Sequence, residues 1–162
     1  MYSKLCAMLA KTSLKFAATG LVAIIICVLY QVFGRYVLND TPTWAEQLAL
    51  LLVSYVTMLG TAAGVRDAGH IGLESFLVLA PEEIRRKLEL VIHALVGAFG
   101  VSMVYYGSIL AADQWQEMLP TLGVPDGLRY VSIAICGALI VLFSIEHLIA
   151  IVNKEEVVPA WH

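Results

Sequence analysis

Four stretches of this chain are long and apolar enough to cross a bilayer, and together they fill most of its 162 residues. Phe16 to Gly34 and Gln47 to Val65 contain no Asp, Glu, Lys, Arg or His, Leu90 to Ala112 contains only His93, and Tyr130 to Ile145 contains none. A helix needs roughly 20 such residues to cross ~30 Å of hydrocarbon. The first three stretches reach that length directly, and the fourth does so if it runs past Glu146 to about Val152. The expected fold is therefore an all-α integral membrane protein, one domain over residues 1–162, with spans at about 16–34, 44–65, 88–112 and 130–151.

With 14% of residues charged, against roughly a quarter in a soluble chain, what matters is where the charges sit. Lys4, Lys11 and Lys15 precede the first span, Arg66, Arg85, Arg86 and Lys87 lie between the second and third, and Lys154 follows the fourth. The other two connections hold only Arg35 and Arg129. Since basic residues stay on the cytoplasmic side, the split predicts an N-in/C-in protein with the loops near Asn39 and Pro120 outside. A net charge of -3 gives no sign of a nucleic-acid partner.

The lysines ahead of an apolar run resemble a signal peptide, but the run is too long and Gly34-Arg35-Tyr36-Val37 lacks a small-x-small cleavage pattern. Met1 to Leu14 places Leu5, Met8 and Leu9 against Lys4 and Lys11 at helical spacing, which reads as an N-terminal amphipathic helix on the inner leaflet or as a frayed terminus.

Thr43-Trp44-Ala45-Glu46 has the form of a capping box, with Pro42 blocking any earlier start and Trp44 suited to the interfacial belt. Further along, Gly60 and Gly64 form a G-x-x-x-G spacing flanked by Thr57, Thr61, Ala62 and Ala63. Such a face permits close helix approach, either within the chain's own bundle, which is favoured, or as a dimerisation face.

Between the second and third spans, Ile71 to Leu79 is too short to cross and suits an interfacial cytoplasmic segment. Ala80-Pro81-Glu82-Glu83 then signals a helix start, with Pro at the first helical position and acids in the first turn. That helix is expected to run to about Gln116 and to project beyond the bilayer, placing Arg85, Arg86 and Lys87 at lipid headgroups. They act there as a positive-inside anchor or as a lipid-headgroup site. Past the third span, Asp113 to Asp126 forms a short acidic loop broken by Pro120, Gly123 and Pro125.

No nucleotide-binding or metalloprotease motif appears, and no carboxylate sits in the middle of any span. No catalytic, metal or cofactor site is expected. Cys6, Cys27 and Cys136 read as packing residues. His70, His93 and His147 lie near the cytoplasmic ends of helices, shallow for a haem. A cytochrome-type or dehydrogenase membrane anchor is therefore the alternative reading, and a stand-alone channel is disfavoured by the lack of polar pore residues.

Gln31-Val32-Phe33-Gly34-Arg35-Tyr36-Val37-Leu38-Asn39, then Pro42, Trp44-Ala45-Glu46, Gly60 to Ala63, Arg66 and Gly69-His70-Ile71 together resemble the small integral membrane subunit of tripartite ATP-independent periplasmic (TRAP) transporters. Residues 79–86 and Leu122-Gly123-Val124-Pro125 extend the resemblance loosely. It implies a non-catalytic subunit in a bacterial or archaeal inner membrane, scaffolding a large elevator-type permease that imports an organic anion with sodium, and helping to dock a periplasmic binding protein. On it, Arg35, Trp44, Glu46, Arg66 and His70 are signature positions that fix subunit geometry. Gln47 departs from the pattern, since many relatives carry a second acid there, and any ion pair needing that acid is in doubt.

Overall fold

In the computed structural model, residues 2–40, 42–67 and 81–153 are described. Four helices carry them: α1 (Tyr2–Phe33), α2 (Thr43–Asp67), α3 (Glu82–Asp113) and α4 (Gly127–Asn153). All four are long and apolar enough to cross a membrane, and each expected span lies within one of them or its direct extension. The interfacial segment expected at residues 71–79, and His70 before it, lie outside the described residues.

Residues 2–14 are helical, but they do not form a separate helix lying on a leaflet. They continue unbroken into the first span. Cys6, Ala10, Ser13 and Ala17 are buried, and Gly20 follows in the same three-and-four spacing, so a stripe of small side chains runs along one side of α1. A Cβ at Gly20 would lie 2.5 Å from Val56 Cγ2 of α2, so that stripe is where α1 and α2 close together. Lys4, Lys11 and Lys15 stay exposed on the other side.

At its far end α1 widens into a π turn, Gly34–Leu38, closed by Asn39 in the left-handed region at φ 53°. The amides of Asn39 and Asp40 both donate to the Gly34 carbonyl. Only glycine fits here, since a Cβ would sit 2.9 Å from both Asp40 O and Pro42 Cδ. The chain then enters α2 at Thr43, where the capping sequence places the start. At α3, Pro81 is the N-cap rather than the first helical residue, and its carbonyl accepts from the Ile84 and Arg85 amides.

The helices pack as an open row. α3 packs along α4, α4 joins α2, α2 packs along α1, and α1 touches α4 only slightly; among the described residues α1 and α3 make no substantial contact. A closed four-helix bundle would bring those two together. In the row α4 is central, with 33% of its most apolar window buried against 0% for the first span. Close approach of α3 to α4 centres on two facing glycines: a Cβ at Gly137 would lie 2.6 Å from the Gly100 carbonyl oxygen.

The expected in-bundle contact at Gly60 and Gly64 is not made. A Cβ at either would meet nothing within 4 Å. The reason is angular: Ala62, Ala63 and Arg66 are the buried residues of that stretch, and the two glycines lie round the helix from them. The loop after α3 is ordered, with an isolated antiparallel bridge between Met118 and Pro125 and the Asp126 amide donating to Glu117 O at 2.8 Å.

Candidate functional site

The polar chemistry of the chain gathers at one end of the row. Arg66, in the last turn of α2, is 2% exposed, and Glu146 of α4 is 3% exposed. Arg66 Nε donates to Glu146 Oε2 at 2.9 Å and Nη2 to Oε1 at 3.0 Å, the two-pronged geometry in which a guanidinium matches a carboxylate best. Its third side, Nη1, donates to Asp67 Oδ1 at 2.7 Å. One buried cation thus sits between two buried carboxylates.

All four helices reach this cluster. His147 Nε2 lies 3.0 Å from the Arg66 carbonyl oxygen, and His93 of α3 stacks on His147 with ring centroids 4.3 Å apart and planes 6° from parallel. From α1, Cys6 is buried in the same core as Ala62, Ala63 and Phe143, and the Tyr2 hydroxyl donates to Leu142 O at 2.9 Å. At 1.5 Å per residue, Arg66 is about 35 Å from the start of α2, Glu146 about 28 Å from that of α4, and His93 about 30 Å from the end of α3. The cluster is therefore one hydrocarbon thickness from the opposite surface, at the membrane boundary rather than the midplane.

Enclosed in this way, the network offers no open face for a substrate among the described residues. What it does is geometric, because α2 and α4 run parallel, with Gln47 beside Arg129 at their starts and Arg66 beside Glu146 toward their ends, and a slip of either by one turn would separate Arg66 from Glu146. Among the described residues no group of three or more His, Cys, Asp or Glu is arranged to hold a metal ion. Nor can His93 and His147 flank a haem iron from opposite sides, since their rings lie face to face in direct contact.

At the opposite end the expected residues are spread along the surface. Trp44 lies against Tyr30 with centroids 5.6 Å apart. Glu46 meets Gln31 Nε2 at a long 3.5 Å, and the ion pairs of the described residues do not include Arg35 with Glu46. In a regular helix Arg35 would stand one turn beyond Gln31 on the same face; the π turn beginning at Gly34 removes that alignment. Gln47 Oε1 accepts from Arg129 Nη2 at 3.0 Å, and Arg129 Nε lies 3.1 Å from Asp126 Oδ1. The amide thus supplies an acceptor at the position where a second acid was missed.

Of the basic cluster on α3, Arg85 pairs with Glu89 at 2.8 Å, Arg86 reaches Val152 O of α4 at 3.5 Å, and Lys87 is exposed. Glu146 and Asp67 are the site residues that sequence reasoning missed, and His93 and His147 were weighed only as haem ligands. The available signal was a lone acid next to a histidine ending an apolar run, with an Arg-Asp pair ending another.

The chain matches the family model described as tripartite ATP-independent periplasmic transporters, DctQ component, over residues 24–154. It is 28% identical over 128 residues to the sialic acid TRAP transporter small permease protein SiaQ of Vibrio cholerae, covering 78% of this chain and 73% of that protein. It is 26% identical over 133 residues to the ectoine TRAP transporter small permease protein TeaB of Halomonas elongata, covering 81% and 65%. A third relative, the sialic acid TRAP transporter permease protein SiaT of Haemophilus influenzae, is 32% identical over 89 residues, 55% of this chain but only 14% of that one. With four helices able to cross a bilayer and a family match over most of its length, the chain belongs to the small permease subunits, the DctQ component, of TRAP transporters, and is a multi-pass protein of the bacterial inner membrane.

Proposed function

We propose that this chain is the non-catalytic scaffold of a secondary transporter, holding a much larger permease subunit that carries the substrate and sodium sites. The carrying observation is the likeness to SiaT, in which the matching part is 14% of a far longer permease chain. A protein built like this one thus has a relative in which its counterpart comes joined to a much larger membrane partner. Import of an organic anion with sodium, and help in docking a periplasmic binding protein, follow from the family resemblance. The ordered loop around Met118 and the exposed Arg35 turn are the surfaces offered for that docking.

For the large subunit we assign the open side of α2. Its exposed residues Glu46, Leu50, Val53, Thr57 and Thr61 recur every three or four positions, and the open Gly60 and Gly64 fall among them. Lipid supplies no hydrophobic drive between helices, so small and hydroxylated side chains mark contact faces. Arg35, Trp44 and Glu46 continue this side outward, whereas Arg66 acts from within the ion network. Gly64→Leu is expected to leave the purified chain as stable as before and to reduce co-purified large permease by about tenfold, near 1.4 kcal/mol. Undiminished recovery of a fully transporting complex would show that this side faces lipid.

The N-in/C-in orientation is part of the same proposal. Arg66 is withdrawn into the ion network, which changes the split of basic residues only from eight against two to seven against two. A reporter fused after His162 is expected in the cytoplasm and one inserted at Pro120 to Pro125 in the periplasm. The reverse pattern would overturn it.

A further inference from the structure

We infer that the seam between α3 and α4 binds one anionic phospholipid, its phosphate at Arg86 and Lys87 and an acyl chain in a groove at mid-membrane depth. This goes beyond the scaffold reading and does not depend on it. The groove, about 590 Å³, is lined by Val101, Val104 and Tyr105 of α3 and Ala138, Val141 and Leu142 of α4. Val101 to Tyr105 lie about 12–18 Å from the end of α3 at Asp113, near the middle of a ~30 Å core.

The basic residues are in register with it. Arg86 and Val104 are separated by whole helical turns, as are Lys87 and Tyr105, so each pair shares a side of α3. Arg86 stands about 22 Å along the helix from Val101 and about 40 Å from Asp113, which puts it beyond the hydrocarbon and among headgroups.

Between groove and headgroup the surface is an unbroken apolar track. Leu90 and Ala94 are exposed on α3, and Ile145, Ile149 and Val152 are exposed on α4, continuing from Val141 at helical spacing. Val152 ends the track where its carbonyl meets Arg86 Nη2 at 3.5 Å. Arg85 is engaged with Glu89, which leaves Arg86 and Lys87 as the facing cations. A half-bilayer chain of ~15 Å starting at the edge of the core ends in the groove. Apolar track and charge at its foot together fit a phospholipid of the leaflet on the Arg86 side, and the charge selects an anionic one.

Native mass spectrometry of the full chain released from phosphatidylcholine nanodiscs, with or without phosphatidylglycerol, tests this. The wild type is expected to retain one phosphatidylglycerol with about thirtyfold preference over phosphatidylcholine, from two cations each attracting anionic lipid by about 1 kcal/mol. Arg86→Gln with Lys87→Gln is expected to abolish the preference while leaving the ion network untouched. Ala138→Trp, which fills the groove and keeps the charges, is expected to lose the retained lipid of either kind. A preference surviving charge neutralisation, or retention unaffected by Ala138→Trp, would overturn the site. So would photo-crosslinking from Ala138 in native membranes to another protein rather than to lipid.

Discussion

Arg66→Ala is expected to be the most damaging substitution in the chain, costing about 3–5 kcal/mol as breakage of a buried ion pair does. The guanidinium joins Glu146 and Asp67 at 2.9 and 2.7 Å with almost no exposure to water. Without it two carboxylates remain close together in a low-dielectric site. Glu146→Ala should cost less, because Arg66 keeps Asp67 as counter-charge, and Asp67→Asn less again, because the two-pronged contact to Glu146 survives. Replacing the whole pair, Arg66→Met with Glu146→Leu, is expected to recover much of the loss, since exchanging a buried pair for apolar side chains is often nearly neutral. Thermal unfolding of the purified variants gives the ranking, and the coupling follows from the double-mutant cycle. Equal losses from Arg66→Ala and Asp67→Asn would mean that the network does not hold α2 against α4.

The spans were legible because lipid imposes one requirement, length in apolar residues, which can be read position by position. Thr43 marks a helix start for an equally local reason, a capping pattern, whereas the third helix, expected to run to about Gln116, stops at Asp113, where Gln114 and Trp115 turn back onto Leu110 and Ala112. Packing was less legible. Gly60 and Gly64 have the spacing of a contact face, yet spacing does not say which neighbour stands opposite, and in the row none does. The stripe that closes α1 on α2 runs through Cys6, Ala10, Ser13 and Ala17, partly in a segment whose lysines suggested a separate surface helix. Those lysines occupy one side, and the small residues opposite them carried the signal.

The site was legible at one residue of three. Arg66 stood out through the family pattern, but its partners needed the third dimension: Glu146 is 80 positions away in the chain and looks from the sequence like the acid that merely ends a span. Only the parallel pairing of α2 with α4, which brings their final turns side by side, turns two helix-end charges into one buried pair. The same holds for Gln47 and Arg129, 82 positions apart, at the other surface.

Gly137→Leu is expected to detach α3 from the rest of the protein. Even the first atom of a side chain there would lie 2.6 Å from Gly100 O, 2.8 Å from Met103 Cβ and 2.9 Å from Val104 N. Two of these are backbone atoms that no rotamer change can move, so α3 must retreat as a whole. Its substantial packing among the described residues is with α4 alone, which leaves no second contact to hold it. Nor does lipid push the helices back together. The loss is expected near the upper end for overpacking, about 3 kcal/mol, with Gly137→Ala intermediate. Gly64→Leu is the internal control, because a Cβ at Gly64 meets nothing and should leave the unfolding temperature where it was. Unfolding in detergent, with protease cleavage of the loop after α3 as a second readout, separates the two glycines. If Gly137→Leu and Gly64→Leu unfold alike, the close α3–α4 seam is wrong, and with it the order of helices in the row.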